Sequence, residues 1–393
     1  MKSILFTLIA VCLACSNLDA QKIKKVFDEA EKQTFFMLQE IEKAKEAQAK
    51  KNPEMHFPVS LTPAGDLRLI RRSDWRSGFF PGVLWYLYEY SDDAGWKEKA
   101  AGLTSRIEEE KWNAGTHDMG FKIYCSYGNG YRLTGDPAYR DIIIQAAKTN
   151  IKRFNPMVGC IRSWDHNADK WDYPVIIDNM MNLELLFAAT KLTGDSTFYR
   201  IAVTHANTTL KNHFRPDFST YHVIDYDTLT GNVRKRNTHQ GYSHESAWAR
   251  GQAWGLYGYT VCYRETGKKE YLDIAEKIAG FMLNHPNLPE DMIPYWDFNA
   301  PEIPDAPRDV SAGAITASAL FELGTFSKNG KEYIKSAKQI LHNLTTKYRA
   351  PAGTAHGFLL LHSTGNKPSN SEVDVPINYA DYYYLEALLR SVK

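Results

Sequence analysis

Four times along this chain a helix-forming run ends on a glycine turn and restarts a few residues later on an aromatic residue. The pattern stands at Leu133-Thr134-Gly135-Asp136 before Tyr139, Leu192-Thr193-Gly194-Asp195 before Tyr199, Glu265-Thr266-Gly267-Lys268 before Tyr271, and Lys328-Asn329-Gly330-Lys331 before Tyr333. Glycine is the usual residue in the left-handed turn that stops a helix. The four glycines are 59, 73 and 63 residues apart, which suits one helical hairpin plus a long return loop per repeat. Gly95, after Ser91-Asp92-Asp93, reads as an earlier, degenerate member.

The run before each turn is apolar, small or aromatic nearly all round, so it belongs in a core. The run after it is amphipathic, as in 139–154, 198–213, 271–283 and 333–347. Inner candidates number six, over 78–90, 119–133, 179–192, 247–265, 311–326 and 378–390. Outer candidates also reach six if Ile23 to Lys45 closes the ring. Strand patterns are scarce, and 221–226 and 357–362 are short hairpin pieces at most. The expected fold is all-α, an (α/α)6 barrel of six helical hairpins in one catalytic domain over 21–393.

Residues 1–20 have the pattern of an export signal. Lys2 supplies the positive end, Ile4 to Leu13 an apolar core too short to span a bilayer, and Leu18-Asp19-Ala20 a cleavage site before Gln21. The chain is therefore expected to be exported, to the periplasm. Lipid attachment at Cys15 is the less favoured route, because Cys12 stands where such sites usually carry Leu. No later stretch reads as transmembrane. With a formal charge of +1 and no basic block, nothing points to nucleic acid. Cys125, Cys160 and Cys262 form no metal knuckle and read as small buried residues, although Cys125 and Cys160 could pair after export.

In such a barrel the loops entering the inner helices gather at one end. They bring Asp74, Trp75, Arg76, His117, Asp118, Asp178, Asn179, Trp248, Arg250, Arg308, Asp309, Ser311, Asn378 and Asp381 to one mouth. Any one aspartate or serine there could simply cap a helix. Two carboxylates in one pocket, Asp118 and Asp178, are also the minimal equipment for acid/base chemistry on a sugar, since one can stay protonated while the other is ionised. The 13% aromatic content supplies flat faces for sugar rings as well as core. No cofactor or metal is expected. Asp165, Asn167, Asp169 and Asp172 imitate the start of a calcium loop, but Lys170 stands in place of its glycine and Ile176 in place of its bidentate glutamate.

The motifs HDMGF (117–121), VIIDNMMNLELL (175–186) and SAWARGQAWGLYG (246–258) resemble the unsaturated glucuronyl hydrolases of glycoside hydrolase family 88. WRSGFFPGVLWYLYE (75–89) and NYADYYYLEAL (378–388) match as well. The resemblance implies an (α/α)6 barrel, in agreement with the repeat. It also implies a substrate class: oligosaccharides made by polysaccharide lyases, with a 4,5-unsaturated uronic acid at the non-reducing end. Asp178 then matches the general acid/base and Asp118 its partner carboxylate. Trp75, Phe79, His222, Gln240, Trp248, Arg250 and Trp254 match sugar-contacting positions. His117 is a further contact candidate, and neither histidine is assigned the base role. Arg250 would face the uronate carboxylate or a sulfate, or else pair with a structural acid. In the loop Asn366 to Ser371, Lys367, Ser369 and Ser371 could hold a sulfate. Unsaturated rhamnogalacturonyl hydrolases on pectin fragments, and a non-catalytic glycan-binding protein, are the rival readings. The preferred glycosaminoglycan and the oligomeric state are not legible.

Overall fold

The computed structural model describes residues 2–48 and 54–392; for 2–20, 47 and 48 only the main chain is described. Outer and inner helices alternate along the chain. Outer α1 (Lys2–Gln48) is followed by inner α2 (Phe79–Ser91) and outer α3 (Ala94–Ser105). The second inner rod is a π-helical run, Gly120–Gly128, continued by α4 (Asn129–Thr134), with α5 (Pro137–Asn150) outside it. A 3-10 turn, Ile177–Asn182, opens inner α6 (Leu183–Thr193), and α7 (Ser196–Asn212) is its outer partner. Inner α8 (Ala249–Thr266), outer α9 (Lys269–Asn284), inner α10 (Val310–Phe326), outer α11 (Gly330–Lys347) and inner α12 (Asn378–Ser391) complete the set. The inner rods close on themselves. α2 packs on the π-helical rod, that rod on α6, α6 on α8, α8 on α10, α10 on α12, and α12 on α2. This is the (α/α)6 barrel expected from the repeat.

Side-chain size explains which helices lie inside. Every residue of α8 from Ala249 to Cys262 is buried, and so is every residue of α10 from Val310 to Phe321. Only helices without a solvent face can form an inner ring. α9 instead buries Tyr271, Ile274, Ala275, Ile278, Ala279 and Met282, one stripe at three- and four-residue intervals.

Three of the four repeat glycines end inner helices with positive φ: Gly135 at 69°, Gly194 at 75° and Gly267 at 66°. The aspartates that follow two of them start the outer helices. Asp136 accepts the N–H of Ala138 and Asp195 that of Thr197, caps worth about 1 kcal/mol each. Gly330 differs. It opens α11, and a Cβ there would stand 2.1 Å from the Gly324 carbonyl oxygen. The degenerate repeat stops α2 on left-handed Asp92 rather than on Gly95.

The strands exceed expectation. β1 (Phe57–Leu61) and β2 (Leu67–Ile70) form a hairpin, and β3 (Phe154–Asn155) pairs with β4 (Cys160–Ile161). β5 (Pro174–Ile176), β6 (Val223–Tyr226) and β7 (Val233–Asn237) make an antiparallel sheet with β6 central, so 221–226 is more than a hairpin piece. The 357–362 stretch forms no strand and makes a single bridge, Leu360 to Arg349. Cys125, Cys160 and Cys262 are buried and unpaired, so the optional Cys125–Cys160 bond is not formed. Among the described residues no helix is long and apolar enough to cross a membrane.

Candidate active site

The small sheet delivers the chemistry to the barrel mouth. β5 runs directly into Asp178, β6 follows His222, and β7 leads to His239 and Gln240. These residues meet the N-terminal ends of the inner helices in a cleft of ≈ 1030 Å³ lined by Trp75, Arg76, His117, Asp118, Asp178, Gln240, Arg250, Ser371 and Tyr379, among others. Helix N-termini carry partial positive charge, which favours an anionic guest.

Asp178 is 7% exposed. Its pKa is pushed up to about 7: burial is the main cause and the charge of Asp118 adds to it, while Arg250, the local backbone and Trp254 pull the other way. Asp178 Oδ2 is buried without a hydrogen-bond partner. Asp118 is held from behind, accepting the Thr116 hydroxyl at 2.7 Å on Oδ2 and facing His117 Nε2 at 3.2 Å across Oδ1. Burial lowers the pKa of His117, with Asp118 opposing, so a neutral ring stands beside that carboxylate.

His222 is locked in one tautomer. The backbone N–H groups of His239 and Gln240 donate to its Nδ1 at 3.1 and 3.2 Å, so Nδ1 carries no proton and the neutral ring bears it on Nε2. That Nε2–H, buried and unpartnered, lies 3.7 Å from Asp178 Oδ2. Burial drives the pKa of His222 well below its usual value. A neutral donor thus stands beside a carboxyl whose pKa is raised to about 7. Asp178 can give a proton and, once ionised, take one from water.

Of the residues singled out from sequence, Trp75, His117, Asp118, Asp178, Gln240, Arg250 and Ser371 line the cleft. Four others lie behind its wall. Phe79 is fully buried under Trp75 and Phe121, at ring distances of 5.9 and 5.4 Å. Trp254 is 0% exposed against Phe121 and Tyr383. Trp248 and His222 pack on each other at 4.5 Å. Helical and strand spacing put these side chains on the inward face, but the rings in front of them take the cleft surface. Ser369 is exposed on its loop, where its N–H is held by Asn366, and does not line the cleft. Lys367 lies 3.7 Å from Glu302.

Several mouth residues serve the fold. Asp381 accepts the N–H groups of Leu359 and Leu360, Asn378 donates to the Pro58 and Arg76 carbonyls, and Arg308 binds Asp291. Sequence reading missed Trp164, His166, His239, Glu372 and Tyr379, all at the cleft. Trp164 stacks on His166 at 5.0 Å and stands 5.5 Å from His239. The available signal was position: Trp164 directly precedes the rejected calcium-like loop, and His239 precedes Gln240. In that loop Asp165 is bound by Arg153 and Asp172 by Arg234. Among the described residues no group of three or more His, Cys, Asp or Glu side chains is placed to hold a metal.

No family model matches the chain. Over 338 residues it is 54% identical to an unsaturated glucuronyl hydrolase of Formosa agariphila, covering 85% of this chain and 84% of that one. An unsaturated chondroitin disaccharide hydrolase of Streptococcus pneumoniae is 33% identical over 345 residues, covering 86% of each chain. The crystal structure of an unsaturated glucuronyl hydrolase specific for heparin superposes with a TM-score of 0.87 at 47% identity, over 93% of this chain and 96% of the other. That of the Bacillus sp. GL1 unsaturated glucuronyl hydrolase gives 0.83 at 30% identity, over 92% and 96%. Likeness of this extent in both sequence and barrel leaves one conclusion: the chain is a glycoside hydrolase that belongs to the unsaturated glucuronyl hydrolases of family 88.

Proposed function

We propose that this protein removes the 4,5-unsaturated uronic acid from the non-reducing end of lyase-generated glycosaminoglycan oligosaccharides, with Asp178 as the general acid and base. The observation that carries this reading is the setting of Asp178: burial, with the charge of Asp118 beside it, pushes its pKa up to about 7, and one of its oxygens is left unpaired at the cleft. The substrate's C4=C5 bond is a vinyl ether. Asp178 gives its proton to C4, and positive charge develops at C5 and the ring oxygen. The resulting carboxylate takes a proton from water as the water oxygen bonds to C5. The hemiketal formed then opens and releases the neighbouring sugar, so no nucleophile on the protein is required. Asp118 keeps Asp178 protonated and accepts a sugar hydroxyl. Arg250 faces the substrate's anion.

Reaction in heavy water tests this directly, because protonation of the double bond must leave one deuterium at C4. No label there, with cleavage at the anomeric carbon instead, refutes it. The relatives named above carry glucuronyl and chondroitin names, which favours glycosaminoglycan over pectin fragments. The 47%-identical structure is described as specific for heparin, so unsaturated heparin disaccharides head the substrate panel, sulfated and unsulfated, with chondroitin and hyaluronan beside them. We further propose export to the periplasm through residues 1–20, supported by the charged, apolar and small-residue order of that segment. A mature protein starting at Gln21 in the periplasmic fraction is the expected result, and a lipid on Cys15 would replace it.

A further inference from the structure

The charge of Arg250 is already answered from behind the cleft. Nη1 donates to Asp309 Oδ2 at 2.7 Å and to the Thr364 carbonyl at 2.5 Å, and Nη2 donates to the Gly365 carbonyl at 2.6 Å. The guanidinium is sandwiched by Trp248 and Tyr379, 4.6 and 5.3 Å from their ring centroids. Three of its five N–H bonds are engaged, which leaves the buried Nε–H and one on Nη2 for a ligand. Asp309 is 0% exposed. It also caps α10, accepting the Ala312 N–H and the Ser311 hydroxyl.

The groups that bear on Asp178 come from several elements. Asp118 precedes the π-helical rod, His222 precedes β6, and Arg250 and Trp254 belong to α8; His117, before the rod, and Tyr379, on α12, line the same cleft. Arg76, at the entry to α2, is occupied by Asp74 and Glu372. Arg250 is therefore the cation that can ionise Asp178. We infer that Asp309 is a positioning residue for the reaction: it neutralises Arg250 from the side away from the cleft, so that Arg250 can hold the substrate's anion without ionising Asp178. The inference rests on Asp178 being the acid.

Asp309→Asn keeps the volume and, with its amide oxygen in the place of Oδ1, the helix cap, and removes both the charge and the acceptor for Arg250 Nη1. Unbalanced, Arg250 then favours ionised Asp178, because an opposite charge favours the charged form of a carboxyl. The alkaline limb of kcat/KM should fall by about one pH unit or more. The limb of kcat should move less, because a bound substrate anion supplies the missing charge, and activity on the acid side should be retained. Asp309→Ser, a smaller cap, serves as the second variant. A uniform loss of rate with an unmoved limb makes Asp309 structural and overturns the inference, as does failure of both variants to fold by circular dichroism. Asp178→Asn is assayed alongside. Full activity there refutes the acid assignment itself, whereas an inactive Asp178→Asn with an unmoved Asp309→Asn limb removes the inference alone.

Discussion

Asp178→Asn should silence the protein and stabilise it at alkaline pH, and the effect on stability should depend on pH. Folded, the carboxyl titrates at about 7; unfolded, it titrates near 3.9. Between those values the native state keeps a proton that the unfolded chain has released. The native state binds more protons there, so stability is complete below the unfolded value, falls as pH rises, and is lowest above about 7. A gap of about 3 units at about 1.36 kcal/mol each is about 4 kcal/mol. Asp178 is buried, so solvent screening removes little of this. Asparagine never ionises and escapes the cost. Its amide does inherit a position where Oδ2 has no partner, a cost of about 1–3 kcal/mol. The variant should thus gain about 1–3 kcal/mol over wild type at about pH 8, and be less stable than wild type by about 1–3 kcal/mol at about pH 4. Urea unfolding of both proteins across that range measures the difference, and carboxylates common to both cancel in it. A gap that does not change with pH means that Asp178 is ionised in the native state, and the acid assignment fails.

Asp118→Asn should lower kcat by about 10²–10⁴-fold and bring the alkaline limb of kcat/KM down, since the charge that helps keep Asp178 protonated is gone; an unmoved limb uncouples the two carboxylates. Nitrogen NMR of His222 should show the neutral Nε2–H tautomer through and below the usual imidazole range, since burial drives its pKa well down. A doubly protonated ring at about pH 6 would contradict the backbone lock on Nδ1. Arg250→Ala should weaken turnover more than Arg250→Lys, with losses that follow the substrate's charge pattern, because lysine keeps the charge but not the planar fork. Equal activity in all three proteins would leave Arg250 structural.

What was legible in the sequence was what local chemistry decides. A Thr-Gly-Asp turn stops one helix and caps the next without help from the rest of the chain, so the ring of hairpins could be counted. The π-helical rod could not be foreseen. It is set by tertiary approach: a Cβ on Gly120 would stand 2.7 Å from Asn182 Cα, and one on Gly78 would stand 2.2 Å from the Phe121 carbonyl oxygen. At the site, helix spacing put Trp254 on the same face as Arg250, but spacing gives a face and not a depth. Trp254 and Phe79 turned out to form a layer beneath the wall. His166 and His239 sit on irregular segments with no period to reveal them. The sheet that carries Asp178 and His222 to the mouth depends on pairing over some fifty residues, Val175 with Ile224, which no local pattern announces.

The buried groups left without partners explain why this mouth suits a reaction rather than mere capping. Asp178 Oδ2, His222 Nε2, Trp254 Nε1 and Arg250 Nε are all buried and unbonded, and each such atom typically costs about 1–3 kcal/mol. The three donors come from two segments, the entry to β6 and α8, and all bear on the carboxyl of Asp178. A closed ring of inner helices, packed on every side, can hold such groups in place where a loop would relax to pair them. Donors already fixed before the substrate arrives need no reorganisation as negative charge develops on Asp178 with the departure of its proton, the condition under which electrostatic stabilisation of a transition state is strongest. The same reasoning assigns the backbone lock on His222 its role. With Nδ1 held by two backbone N–H groups, the ring keeps its Nε2–H turned towards Asp178, ready to stabilise the carboxylate left when the proton passes to C4.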